Sequence, residues 1–130
     1  MHSVTSNAVQ DALGYLVWEN PDSTQSFSAQ DVTFDRQVPS EYSKLKIEFR
    51  PLNTENYFVT SECVIGYNTY LSISYVVLTG NARAVISDRL ARYSSRTGIS
   101  FSECRFWQSS TNTQQEINTR CIPTRIWAIK

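Results

Sequence analysis

Tyr42-Ser43-Lys44-Leu45-Lys46-Ile47-Glu48-Phe49-Arg50 is the stretch on which the reading of the fold turns. Leu45, Ile47 and Phe49 alternate with Lys44, Lys46, Glu48 and Arg50. A period of two puts the apolar side chains on one face of a strand and the charges on the other. A strand buried on one side and wet on the other belongs in an antiparallel sheet.

The same period recurs on both sides of this segment. Towards the N-terminus, Tyr15 to Glu19 predicts a first strand, ended by the turn cluster Asn20-Pro21-Asp22-Ser23, and Ser26 to Phe34 a second. Asp35 to Glu41, with Pro39, reads as a loop. Towards the C-terminus, Tyr57 to Ile65 and Thr69 to Leu78 read as strands separated by Gly66-Tyr67-Asn68, and Thr79-Gly80-Asn81 as a further turn. Ala82 to Tyr93 fits a strand with a bulge or a strand running into irregular chain. Ser94 to Gly98 turns the chain and Ile99 to Phe106 forms a strand. Trp107 to Gln115 is polar apart from Trp107 and reads as a loop. Ile117 to Ile122 and Thr124 to Lys130 close the chain, with Pro123 suited to a strand start or an edge. Eight or nine short strands with turns every eight to twelve residues predict an all-β fold. The expected form is an antiparallel two-sheet sandwich of jelly-roll or Greek-key type, over residues 15–130.

Residues 1–14 carry a different period. Ser3 to Gly14 reads as a short helix, with Ser3, Thr5 or Ser6 as N-cap and Gly14 as C-cap. Val9 and Leu13, four apart, give it a narrow apolar stripe, and Val4 extends the apolar set. Two turns of helix are not stable alone in water, so the stripe must pack on the domain or on copies of itself. Three copies around a threefold axis would bury it.

Composition excludes several functions. The 130 residues hold twelve basic and twelve acidic side chains, so a strongly positive field for nucleic acid is absent. No run of 18 apolar residues spans a membrane, and no basic stretch leads into an apolar one as in a signal peptide. Ser, Thr and Asn make up 37 residues, a surface rich in hydroxyl and amide groups. The four glycines at 14, 66, 80 and 98 cannot build a phosphate loop. One histidine, His2, cannot furnish a Ser-His-Asp machine or a His-rich metal site, so no metal or cofactor is expected. Cys63, Cys104 and Cys121 match no zinc spacing; they read as three reduced thiols, with one disulfide plus a leftover thiol as the alternative.

Paired carboxylates are the catalytic option left open, with Asp31, Asp35, Glu48, Glu62, Asp88 and Glu103 as candidates that nothing ranks. Binding is better supported. Sugar sites combine an aromatic platform with amides and hydroxyls. Phe106 to Gln115 has that composition, with Trp107, Gln108, Asn112 and Gln114 as ligand candidates; Asn53 to Tyr57 is a second such stretch, with Asn56 and Tyr57. The competing reading makes Trp107 a cap on the core. Trp18 and Trp127 read as core or subunit contact. Arg83, Arg89, Arg92, Arg96 and Arg105 could hold an anionic polymer, though such residues are more often solvated or paired with acids.

The opening Ser3-Val4-Thr5-Ser6-Asn7-Ala8-Val9-Gln10-Asp11-Ala12-Leu13 resembles a segment of tail-fibre proteins of bacteriophages and prophages, where it precedes a C-terminal β-rich domain. Trp18-Glu19-Asn20-Pro21, the Tyr42–Arg50 strand and the Ile122-Pro123-Thr124-Arg125-Ile126-Trp127-Ala128-Ile129-Lys130 tail resemble motifs of those domains. Gln10 stands where the family often has Tyr, and Ala128 where it often has Gly. The resemblance implies a homotrimeric tip at the end of a longer fibre, made in the host cytoplasm and carried on the virion. Such a tip would bind a bacterial surface glycan without catalysis. A purely structural trimerisation or capping module, and a polysaccharide depolymerase, are the alternatives.

Overall fold

The computed structural model describes residues 14–66, 69–79 and 83–130. In chain order its strands are β1 (Tyr15–Glu19), β2 (Gln30–Thr33), β3 (Lys44–Leu52), β4 (Val59–Val64), β5 (Thr69–Thr79), β6 (Arg83–Ser95), β7 (Gly98–Phe101), β8 (Arg105–Gln108), β9 (Thr113–Glu116) and β10 (Arg120–Ile129). They form two antiparallel sheets, and no helix occurs among the described residues. The helix expected over residues 1–14, with Val4, Val9 and Leu13, lies outside the described residues except for Gly14. The same holds for the turn residues Tyr67, Asn68, Gly80 and Asn81.

One sheet runs β1-β10-β3-β4. The other runs β2-β7-β6-β8-β9, with β5 along the opposite edge of β6. β6 has only two edges. β5 takes one over its whole length, from Thr69↔Tyr93 to Thr79↔Arg83. β7 and β8 share the other, β7 against Ala91 to Ser95 and β8 against Val85 to Asp88.

The core lies between the sheets. Leu45, Ile47 and Phe49 are fully buried, as their alternation predicts, beside Ile126 and Ala128 of β10. Ile73, Ala91, Ile99 and Phe101 close over them from the second sheet. Each buried Leu, Ile or Phe among these contributes roughly 1.5–3 kcal/mol. A register shift between Leu16 and Trp18 lets consecutive Val17 and Trp18 both join the core, where Trp18 packs on Phe27 and Phe101. Trp127 is buried as well.

Four segments depart from the sequence reading. The second strand is confined to Gln30–Thr33, because the Phe27 N–H leaves the sheet to bond the Asn118 carbonyl at 2.9 Å. Ile99 to Phe106 is two strands. Between them the Ser102 carbonyl accepts from Arg89 and the Cys104 N–H bonds the Asn118 side chain, so side chains take over part of the ladder there. Trp107 to Gln115 is no loop but the end of β8, a turn and β9. Pro123 sits inside an interior strand, tolerated at a bulge where the register shifts between Pro123 and Arg125. Its carbonyl accepts from the Asn20 side chain at 2.9 Å.

Candidate functional site

The β8–β9 hairpin presents the first candidate. β8 leads into a tight turn in which the Asn112 N–H bonds the Gln108 carbonyl at 2.9 Å. Asn112 has φ 50°, a left-handed conformation that asparagine tolerates. The turn aims the Asn112 side-chain oxygen at the indole N–H of Trp107, 3.3 Å away. Trp107 pairs with Gln114 on β9 and with Ile86 on β6, which pairs with Val76 on β5. Directly opposed residues share a face, so Val76, Ile86, Trp107 and Gln114 make one row across the outer face of the sheet. Trp107, Asn112 and Gln114 are therefore brought together. Gln108 pairs with Thr113, and strand alternation turns it to the other face.

Tyr57 and Asn56 belong elsewhere. Both are exposed, just before β4, and the Tyr57 hydroxyl meets that of Tyr75 at 2.5 Å. This hydrogen bond, with a little desolvation, pushes the Tyr57 phenol up to about 12. Tyr75 pairs with Ser87 and so lies on the face opposite to Trp107. The candidates thus form two separate sets.

A third feature was not singled out from the sequence. The turn after β1 and the chain leading into β2 enclose a cleft of about 490 Å³. Buried Trp18, Phe27 and Val32 contribute apolar lining. Asn20, Asp22, Gln25, Ser26, Gln30 and Asp31 supply polar lining. The Asp22 N–H bonds the Asn20 side chain at 3.0 Å, and Asp22 in turn accepts from the Thr24 hydroxyl and N–H. Those bonds hold its carboxyl below the usual carboxylate range. Asp31 accepts from the Ser100 hydroxyl at 2.6 Å. The signal was present: Asn20 to Ser26 is nearly as rich in amides and hydroxyls as Phe106 to Gln115, but its Asn-Pro-Asp-Ser run reads as punctuation.

The arginines divide. Arg83, Arg92, Arg96 and Arg105 are exposed, and Arg96 donates to the carbonyls of Val38 and Pro39. Arg89 is fully buried, which removes it from any surface that grips a polymer. Its guanidinium donates to the carbonyls of Cys121 (2.8 Å), Ser102 (2.7 Å) and Arg120 (3.1 Å) and faces the Phe27 ring. The three cysteines are free thiols, Cys104 and Cys121 buried and Cys63 half-buried. Among the described residues no group of three or more His, Cys, Asp or Glu is placed to hold a metal. None of their helices could cross a membrane, since there are none.

Chemically, the Trp107 row offers an aromatic edge with amides beside it. The cleft offers carboxylates and amides over an apolar floor, the composition that hydrogen-bonds neutral hydroxyl-rich ligands. Comparison with protein-family models, with curated proteins and with solved structures returns no match.

Proposed function

We propose that this chain is the receptor-binding tip of a bacteriophage or prophage tail fibre, a homotrimer that holds a bacterial surface glycan without catalysis. In this reading the domain is a jelly-roll-like sandwich carried by an N-terminal helix, and Val4, Val9 and Leu13 meet their copies at the fibre axis. The observation that carries it is the joining of Trp107, Asn112 and Gln114 on one sheet face, an indole with two side-chain amides at its edge. The cleft beside Trp18 adds a second hydroxyl-binding surface of sugar-sized volume.

The test uses purified capsular and envelope polysaccharides immobilised as a panel. The chain binds at least one, and Trp107→Ala weakens that binding by about tenfold, the loss of one aromatic contact. Light scattering gives about three times 14.9 kDa, and Val9→Asp with Leu13→Asp lowers it to one. Binding that survives Trp107→Ala unchanged, or a monomeric parent, refutes the assignment.

Two other readings each have one observation in favour. Val64, Tyr70, Val76 and Leu78 are more than half exposed on β4 and β5, edge strands of the two sheets, as a fibre-capping module that meets only protein would require. Asp22 and Asp31 line one cleft, as a depolymerase would require. Shortening of a bound polysaccharide on incubation separates the last reading from the first.

A further inference from the structure

The buried guanidinium of Arg89 gathers three backbone carbonyls from two distant parts of the chain, Ser102 on one side and Arg120 and Cys121 on the other. The Cys104 carbonyl accepts from the Ile117 N–H at 2.8 Å, and the Cys104 N–H bonds the Asn118 side chain at 3.1 Å. These bonds clamp the β7–β8 break of one sheet against the start of β10 in the other. Cys104 and Cys121 stand inside the clamp, both with no exposed surface. The Cys121 thiol donates to the Ser87 carbonyl at 3.6 Å, and β6 pairs Ser87 and Asp88 with Phe106 and Arg105, the two residues that follow Cys104, so both thiols stand at the same point of the clamp.

We propose that Cys104 and Cys121 form an oxidation site, which a peroxide converts into a disulfide joining the two sheets. The Cys104 thiolate attacks one oxygen of hydrogen peroxide. The O–O bond breaks, the sulfur becomes a sulfenic acid and the hydroxide leaving group takes up the Cys104 proton as water. The Cys121 sulfur then attacks the sulfenic sulfur. Its own proton leaves with the displaced hydroxide as a second water. Two thiols and one peroxide give one disulfide and two waters, with two electrons passing from sulfur to oxygen.

The surroundings set the order of attack. The Cys121 side chain beside it, and then the Arg89 cation, hold the Cys104 thiol below its ordinary value. The neighbouring Cys104 side chain, and then burial, push Cys121 up. Cys63 differs. It lies on β4, pairs with Leu45 on β3, and burial raises its thiol with no cation among the causes. Full burial means that peroxide enters when the clamp opens locally, so the reaction is slow beside that of a surface thiol.

The experiment uses the full chain as Cys63→Ser, reduced and then freed of reductant. Hydrogen peroxide lowers the intact mass by two hydrogens, proteolysis yields one linked peptide pair containing Cys104 and Cys121, and dithiothreitol reverses both changes. The thermal midpoint rises by about 10 °C in the oxidised form, the gain for closing a loop of this length. With dimedone present, Cys121→Ser in the same background is labelled at Cys104, whereas Cys104→Ser is not labelled at Cys121. Two thiols still free after oxidation, or overoxidation of each without a link, overturns the site. A link between chains does the same, and dimedone labelling at Cys121 overturns the order of attack. Because the readout is mass, failure of the glycan assignment does not touch it.

Discussion

Replacing Arg89 with methionine tests whether one buried cation holds the two sheets in register. Methionine keeps most of the aliphatic volume and removes all three donated hydrogen bonds, to Cys121, Ser102 and Arg120. Three carbonyls are then left inside without a donor, at about 1–3 kcal/mol each. Against that stands the relief of an ion that burial disfavours, the leading cause of its lowered basicity. That relief is worth several kcal/mol. The balance is a loss of about 3 kcal/mol, from a total of roughly 5–15 kcal/mol for a domain. The thermal midpoint should fall by about 10 °C. Urea unfolding followed by tryptophan fluorescence reads the loss of free energy, since Trp18 and Trp127 are buried. Arg89→Lys separates charge from geometry: it keeps the cation but cannot present a planar fork to three acceptors, so it recovers less than half of the loss. A methionine variant within 1 kcal/mol of the parent, or a lysine variant equal to it, refutes the clamp.

Three further outcomes follow from local geometry. A Cβ on Gly98 would lie 2.6 Å from the Val32 carbonyl oxygen, so Gly98→Ala costs about 1–3 kcal/mol and hydrogen exchange speeds up in β2 before the rest of the sheet. Tyr75→Phe returns the late-titrating phenol of Tyr57 from about 12 towards 10, seen as absorbance at 295 nm. Because the folded value is the higher one, this contribution to stability is complete below pH 10 and is lost as pH rises towards 12. The carboxyl of Asp22 has the opposite sign. Its stabilisation is present above the ordinary value of 3.8 and disappears as pH falls through its lowered folded value, and Thr24→Val narrows the gap between the two values without closing it, because the backbone N–H at 24 still donates, in a carbon-13 carboxyl titration.

The sequence carried the architecture wherever burial followed polarity. Lys44 to Arg50 alternates cleanly, and the structure buries its apolar set completely. It was opaque where the two diverged. β6 turns Ser87 and Arg89 inward between Val85 and Ala91, so its true period is masked by polar residues in core positions. All four side chains of β9 are exposed and polar, so it has no apolar face to read, and only pairing with β8 makes it a strand. Pro123 argued for an edge because a bulge cannot be seen in one sequence. The candidate site divides in the same way. The neighbourhood of Trp107, Asn112 and Gln114 was legible because it is local, spanning eight residues. The cleft was not, because Trp18 and Asn20 meet Gln30 and Asp31 only after β1 and β2 are placed in different sheets.

The place of β10 in its sheet has a temporal meaning. It lies between β1 and β3 and bonds to both, while β4 hangs on β3 alone. A growing chain can zip β3 to β4 and β5 to β6 as soon as they emerge, since those pairs are neighbours in sequence. β1, by contrast, waits about a hundred residues for its partner. Until residues 120–129 leave the ribosome, Val17 and Trp18 have no sheet to join. The nascent domain therefore spends most of its synthesis with one sheet unfinished, and ribosome stalling before that point would leave a species whose half-made sheet can pair with other chains.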